Sequence, residues 1–221
     1  MIVRPEPGAR ATVERAKAMQ LDAFALPLFR VEPVEWTVPD PRDFDALLLT
    51  SANAVRHGGR GLEALRGLPV YAVGEATAAA ARDVGFTSAG VGGGGLERLL
   101  GSVPPDLRLL HLCGEHRGPA PAGRAITAIP VYRSNPLPMP DGFRRIEGQT
   151  VAIHSPRAGE RLGGLVDEAG IARNTIRIAA ISEAAAKSAG KGWESCESVE
   201  SPDETALLAL AARLCDNRLD R

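Results

Sequence analysis

Ser51 and Ser155 each stand where a short apolar run gives way to a helix-forming segment, in Leu49-Thr-Ser-Ala-Asn53 and Ile153-His-Ser-Pro156. A hydroxyl at such a junction caps the helix by accepting from a first-turn amide, and Pro156 is preorganised for the first helical position. The same junction suits an anion, because the first-turn amides have no partner inside the helix. Both readings are open here, and they are compatible. Ser51, Ala52 and Asn53 are the candidate anion contacts of the first copy, Ser155 and Pro156 those of the second. Gly74-Glu-Ala-Thr77 and Ser182-Glu-Ala-Ala185 follow as second junctions. Gly74 lets a ligand approach the backbone closely, and Thr77 puts a hydroxyl in the first turn. In the other copy Ser182 is the only hydroxyl. The chemistry implied is many neutral donors around a polyanion, rather than one strong base.

Four further features could do chemistry. Tyr132, one of two tyrosines, lies in the Pro-punctuated stretch Ala128–Pro136, where its phenol could donate a hydrogen bond or a proton, or pack against a partner strand. Gly90-Val-Gly-Gly-Gly-Gly95 matches the G-x-G-x-x-G pattern of dinucleotide binding, but Gly85–Ala89 before it makes a poor strand and Pro104-Pro105 stops the helix after it early. A flexible loop is the better reading. His111 and Cys113 would share a strand face, yet no further ligand cluster accompanies them, so no metal site is expected. His154 and Ser155 are strand neighbours that point apart, which excludes a Ser–His pair. Lys17, Lys187 and Lys191 are the only lysines and lie in polar segments, which argues against Schiff-base chemistry.

The elements that must position these groups alternate. Candidate strands are Phe24–Pro27, Ala46–Thr50, Val70–Val73, Leu107–Leu112, Val151–His154 and Ile176–Ile181, with helix-length segments between them. Short apolar runs alternating with helices predict parallel sheets buried on both faces, with ligand-binding edges at the strand carboxyl ends. Pro27–Val38 and Ala128–Pro136 are extended and lack helical periodicity, so they are read as outgoing and returning linker strands. The expected architecture is therefore discontinuous: residues 1–30 plus 137–221 form one α/β domain, 38–128 a second, and 31–37 with 129–136 the linker. One copy of the strand–Ser–helix repeat falls in each lobe, and the two Ser-bearing edges are expected to face each other across a cleft.

Composition narrows the partners. A net charge of −1 over 221 residues argues against a nucleic-acid platform. No stretch approaches the ~20 apolar residues of a membrane span. Three cysteines, Cys113, Cys196 and Cys215, suit a reducing cytoplasm better than a disulfide framework. Most basic residues are Arg, which suits forked contact with carboxylates. Arg4, Arg56, Arg117, Arg133 and Arg157 are candidates for such contacts.

With these residues laid out, the chain resembles the uroporphyrinogen-III synthases. The segments that carry the resemblance are Val3-Arg-Pro5, Leu49-Thr-Ser-Ala-Asn-Ala-Val55, Ala72-Val-Gly-Glu-Ala-Thr77, Leu110-His-Leu-Cys-Gly114, Pro130-Val-Tyr-Arg133 and Ile153-His-Ser-Pro156. Their order runs from end to end. The resemblance implies two flavodoxin-like, doubly wound lobes joined by a two-stranded ribbon. It implies a cofactor-free, cytoplasmic lyase that cyclises hydroxymethylbilane, a linear tetrapyrrole with eight carboxylates, inverting ring D and losing water. It places Tyr132 on the family's linker Tyr, which assists departure of the hydroxyl, and Thr77 on its cleft Thr. Ser51 and Ser155 fall on substrate-carboxylate contacts. Nothing demands more than a monomer. Three departures stand out: Val3 replaces the usual Thr, the second-lobe Gly-x-Thr has become Ser182-Glu-Ala-Ala185, and the chain is somewhat short. A non-catalytic two-lobed binding protein that keeps the fold is the alternative, favoured by the altered second-lobe motif.

Overall fold

A computed structural model describes residues 1–93, 95–118 and 122–216. The chain divides into two units, Met1–Arg30 with Pro136–Arg221, and Val31–Asn135. No helix among the described residues is long and apolar enough to cross a membrane.

The second unit is built on a sheet of Phe29–Pro33 (β1), Ala46–Leu49 (β2), Val70–Val73 (β3), Ser88–Gly92 (β4), Leu109–Gly114 (β5) and Ile126–Pro136 (β6). The strand order is β1-β6-β5-β2-β3-β4, and β6, β5, β2, β3 and β4 pair in parallel. Helices α2 (Ala52–His57), α3 (Glu75–Asp83) and α4 (Leu96–Gly101) connect the strands. Alternate side chains of the central strands enter different cores. Leu47, Leu49, Leu110 and Leu112 pack with Ala54, Val55, Ala78 and Ala81 of α2 and α3, whereas Ala46, Leu48 and Leu109 pack with Leu99 and Leu100 of α4. That double coverage is why β2 reads as an unbroken apolar run.

The other unit has a three-stranded parallel sheet, Thr150–Ile153 (β7), Arg177–Ala180 (β8) and Ser195–Ser198 (β9), in that order. Parallel bridges extend it: Ile2 pairs with Ala152 on one side and Ala25 on the other. Helices α1 (Gly8–Ala18) and α7 (Glu204–Asp216) cover the face bearing Ile2, Ala152 and Ala179; α5 (Pro156–Glu168) and α6 (Glu183–Ser188) cover the face bearing Val3, Val151, Ile153 and Ile178.

Three expectations about elements are corrected. Phe24–Pro27 is not a full strand but a single bridge at Ala25. Ser88–Gly92 is a strand, pairing β3 along the sheet edge, so the glycine run begins inside β4 and ends at Gly95, which caps α4; Gly94 of that run lies outside the described residues. The returning segment does more than link: β6 pairs with β5 from Ile126 to Pro130 and again at Tyr132.

Candidate functional site

Reversal of strand order in a doubly wound sheet opens a crevice at the carboxyl ends of the two strands concerned. In the second unit that point lies between β2 and β5, and groups with chemical potential collect there. β2 runs out at Leu49, Thr50 follows, and Ser51 takes extended backbone angles to cap α2, its Oγ accepting from Asn53 N at 3.2 Å. β5 carries His111 opposite Leu48 and ends at Gly114. His111 Nε2 and Thr50 Oγ1 are 3.0 Å apart, which ties the two strand ends together. Burial, with a smaller contribution from Arg117, pushes His111 down to about 4, so its imidazole is neutral at pH 7.

Tyr132 is aimed into this group by an irregularity in the ladder. Cys113 pairs with Pro130, but Gly114 pairs with Tyr132, so Val131 is skipped. Pro130 has no N–H to give the ladder, and a proline in a strand is tolerated at a bulge of this kind. As a result Val131 and Tyr132, consecutive in the strand, both pack against the core shared with α2 and α3. The phenol is raised above its ordinary range by burial, while the nearby Ser51 hydroxyl acts as a hydrogen-bond partner that favours ionisation. The His57 ring, at the end of α2, lies 6.3 Å from the Tyr132 ring, centroid to centroid, tilted by 39°.

Gly74 and Thr77 sit at the next strand end. Gly74 has φ +87, a conformation that favours glycine, and its carbonyl accepts from Thr77 N. Thr77 is buried. Among the described residues no hydrogen bond or ion pair joins it to the Tyr132 group.

The first unit gathers the remaining sequence candidates. Ser155 caps α5 by accepting from Ala158 N at 3.2 Å with Pro156 at the helix start, and Ser182 caps α6 through Ala185 N at 3.3 Å. Arg4, just beyond the Ile2 bridge, has its guanidinium 2.9 Å from Glu204 Oε2 and 3.3 Å from Thr12 Oγ1. Thr12 donates to Glu204 Oε1 at 2.5 Å, and His154 Nε2 lies 3.3 Å from the same oxygen. Burial costs the Glu204 carboxylate, but the contacts with His154, Thr12 and Arg4 outweigh it and hold the group at about 2. Burial also lowers His154. A neutral His154 can still donate its Nε2–H to Glu204, so the charge facing that carboxylate at pH 7 is Arg4. Ser155 and His154 thus diverge, one into the helix cap and one into this cluster.

Sequence reasoning did not single out His57, Thr12, Glu204 or the Thr50–His111 pair. Each acts through a neighbour distant in sequence. Among the described residues no group of three His, Cys, Asp or Glu is placed to hold a metal ion.

Parallel sheets covered by helices, with a phenol and hydroxyls at the strand-order reversal of one of them, define an α/β protein. The family model described as uroporphyrinogen-III synthase HemD matches residues 10–209, and the chain belongs to that family. It is therefore an enzyme of tetrapyrrole (haem) biosynthesis. Among solved structures, the uroporphyrinogen-III synthetase of Helicobacter pylori 26695 shares 18% identity over 87% of this chain and 93% of its own, with a TM-score of 0.61. A mutant uroporphyrinogen III synthase from the extremely thermophilic bacterium Thermus thermophilus shares 19% identity over 98% of this chain and 99% of its own, with a TM-score of 0.55. At these identities the two likenesses speak to the fold. No curated protein matches the chain.

Proposed function

We propose that the chain closes hydroxymethylbilane to uroporphyrinogen III at the carboxyl edge of its second unit, with Tyr132 as the proton donor. The observation that carries this reading is the bulge that seats the Tyr132 ring against Gly114 beside Ser51. In the first step the bond from the terminal methylene carbon to its hydroxyl oxygen breaks. The phenol donates to that oxygen, which leaves as water, and the ring nitrogen's electrons stabilise the azafulvene cation that remains. A phenol raised by burial stays protonated at pH 7 and so is always ready to donate. Ser51 offsets the charge left on the phenol oxygen. Ring D then attacks through its substituted carbon, passes through a spiro intermediate and re-closes inverted, steps for which positioning matters most. No cofactor is required by this scheme.

The eight carboxylates need donors. First-turn amides after Ser51, Ser155 and Ser182 are the proposed contacts, with Ala52, Asn53, Gly74 and Pro156 shaping the backbone around them. α2 and α6 are six residues long, so local amides rather than a long helix dipole would do the binding. Arg117, exposed at the mouth of β5 and close enough to bias His111, is a candidate cation for one carboxylate. Arg4 would serve only by exchanging Glu204 for a substrate carboxylate. Thr77, buried, would act by positioning α3.

We read the two units as doubly wound α/β domains, the first of them flavodoxin-like, of a cytoplasmic monomeric lyase. In the first unit the order Ala25, Ile2, β7, β8, β9 supports this, since it follows the flavodoxin pattern 2-1-3-4-5; the second unit's parallel strands run 3-2-1-4-5, the other doubly wound order. The test is turnover of enzymatically generated hydroxymethylbilane with the uroporphyrin isomers resolved. Isomer III above the spontaneous isomer I background is the expected result; isomer I alone would sink the reading.

A further inference from the structure

Beside the Tyr132 group the second unit has an open groove of about 610 Å3 between the segment Pro33–Val38 and the turn His57–Gly61. That volume falls within the ~300–1,000 Å3 range of small-molecule pockets. Its aromatic wall is fixed. Trp36 Nε1 donates to the Gly58 carbonyl at 3.0 Å, and a Cβ on Gly61 would fall 2.6 Å from Cζ2 of Trp36, so the indole packs directly against the bare backbone of Gly61. Its charge is uncommitted. Arg60 is exposed and has no hydrogen-bond or ion-pair partner among the described residues. By contrast Arg56 bonds Asn53, Arg133 faces Glu32 and Arg157 lies over Phe29. Glu35, also exposed, brings an acceptor to the same groove. His57 belongs to both places: it lines the groove and faces the Tyr132 ring.

We propose that this groove is a subsite for one pyrrole ring of the linear tetrapyrrole. In it Arg60 holds a carboxylate arm, Glu35 accepts from the ring N–H, and the shared His57 wall sets the bound ring next to Tyr132. The proposal rests on the synthase reading and deepens it by naming where one ring sits. A carboxylated pyrrole offers a flat face, an N–H donor and anionic arms; Trp36, Glu35 and Arg60 match these one for one. Burial and the neighbouring Arg56 lower His57, so the imidazole is neutral at pH 7 and leaves the anionic arm to Arg60.

The experiment uses the full chain and two readouts. Titration with porphobilinogen, a monopyrrole carrying both kinds of carboxylate arm, is followed through the two indole N–H resonances, assigned with Trp36→Phe. The Trp36 signal should shift saturably while that of buried Trp193 stays put, and Arg60→Glu should weaken this binding at least ten-fold. In the isomer assay Arg60→Glu should raise KM for hydroxymethylbilane about ten-fold, with the loss falling on KM rather than kcat. Arg60 is a surface residue, so folding of the variant is not at stake. An unmoved Trp36 resonance together with an unchanged KM overturns the subsite. Failure of the synthase reading would look different: no isomer III from the wild type, whatever porphobilinogen does to Trp36.

Discussion

Tyr132 occupies the space that a side chain at position 114 would need: a Cβ built on Gly114 would lie 2.8 Å from Cε2 of the ring and 3.1 Å from the phenol oxygen. The tyrosine is thus held by an absence. Gly114 is buried, so a side chain added there would have to push the far end of the Tyr132 ring out of its place.

Gly114→Ala should therefore displace the phenol. We expect formation of isomer III to fall at least ten-fold, about 1.4 kcal/mol in barrier. Overpacking should also cost roughly 1–3 kcal/mol of stability. Steady-state kinetics beside urea unfolding would check both, and wild-type kinetics in the variant would show that the ring's placement is not critical.

Tyr132→Phe removes the hydroxyl and keeps the ring. Turnover should drop ten- to a hundred-fold, about 1.4–2.7 kcal/mol, with little change in unfolding midpoint. The paired caps provide a control. Ser51→Ala and Ser155→Ala should each cost about 1 kcal/mol of stability through loss of a helix cap. A further fall in kcat is expected for Ser51→Ala, the serine facing the phenol; equal kcat values in the two variants would count against that role.

His111 predicts part of the acid limb of stability. Its folded value, about 4, lies below the ordinary 6.5. Between those values the unfolded chain binds the extra proton, so stability declines as pH falls from about 6.5 towards 4. The contribution is on the order of 3 kcal/mol. His111→Gln should flatten this part of the curve, measured by urea unfolding at a series of pH values. His57 and His154 are shifted in the same direction, so the slope should shrink rather than vanish.

Glu204 acts in a lower window. Its carboxyl is held at about 2 against an ordinary 4.5, so its contribution is present above about 4.5 and is lost as pH falls through 4.5 to 2. Glu204→Gln should remove that dependence. At pH 7 it should cost about 1–3 kcal/mol, because Arg4 and Thr12 lose an ionised acceptor. An unfolding curve that matches the wild type down to pH 3 would contradict the assignment.

The parts of the fold that could be read from sequence were those buried on both faces. Leu47, Leu48 and Leu49, or Val151 and Ile153, advertise a central parallel strand because both faces need apolar cover. Edge strands gave no such signal. Ser88–Gly92 alternates half-buried and exposed residues and is rich in glycine, and Ser195–Ser198 is almost wholly polar. Ile2 is central in its unit, yet a strand of so few residues shows no pattern of its own. In the candidate site, Ser51, Ser155 and Ser182 were legible as caps because capping is local. The meeting of Thr50 with His111, of His57 with Tyr132, and of Arg4 with Glu204 was not, since tertiary packing alone brings them together.

Ile2 sits between Ala25 and Ala152, so the middle of one sheet joins segments that are synthesised far apart in time. On a ribosome, residues 31–135 emerge with every strand partner they require and can fold as a unit. The leading thirty or so residues cannot; their apolar Ile2, Val3, Val13 and Leu28 must wait until β7 has been made. The nascent chain thus carries an apolar segment whose strand partner has not yet been synthesised for most of translation.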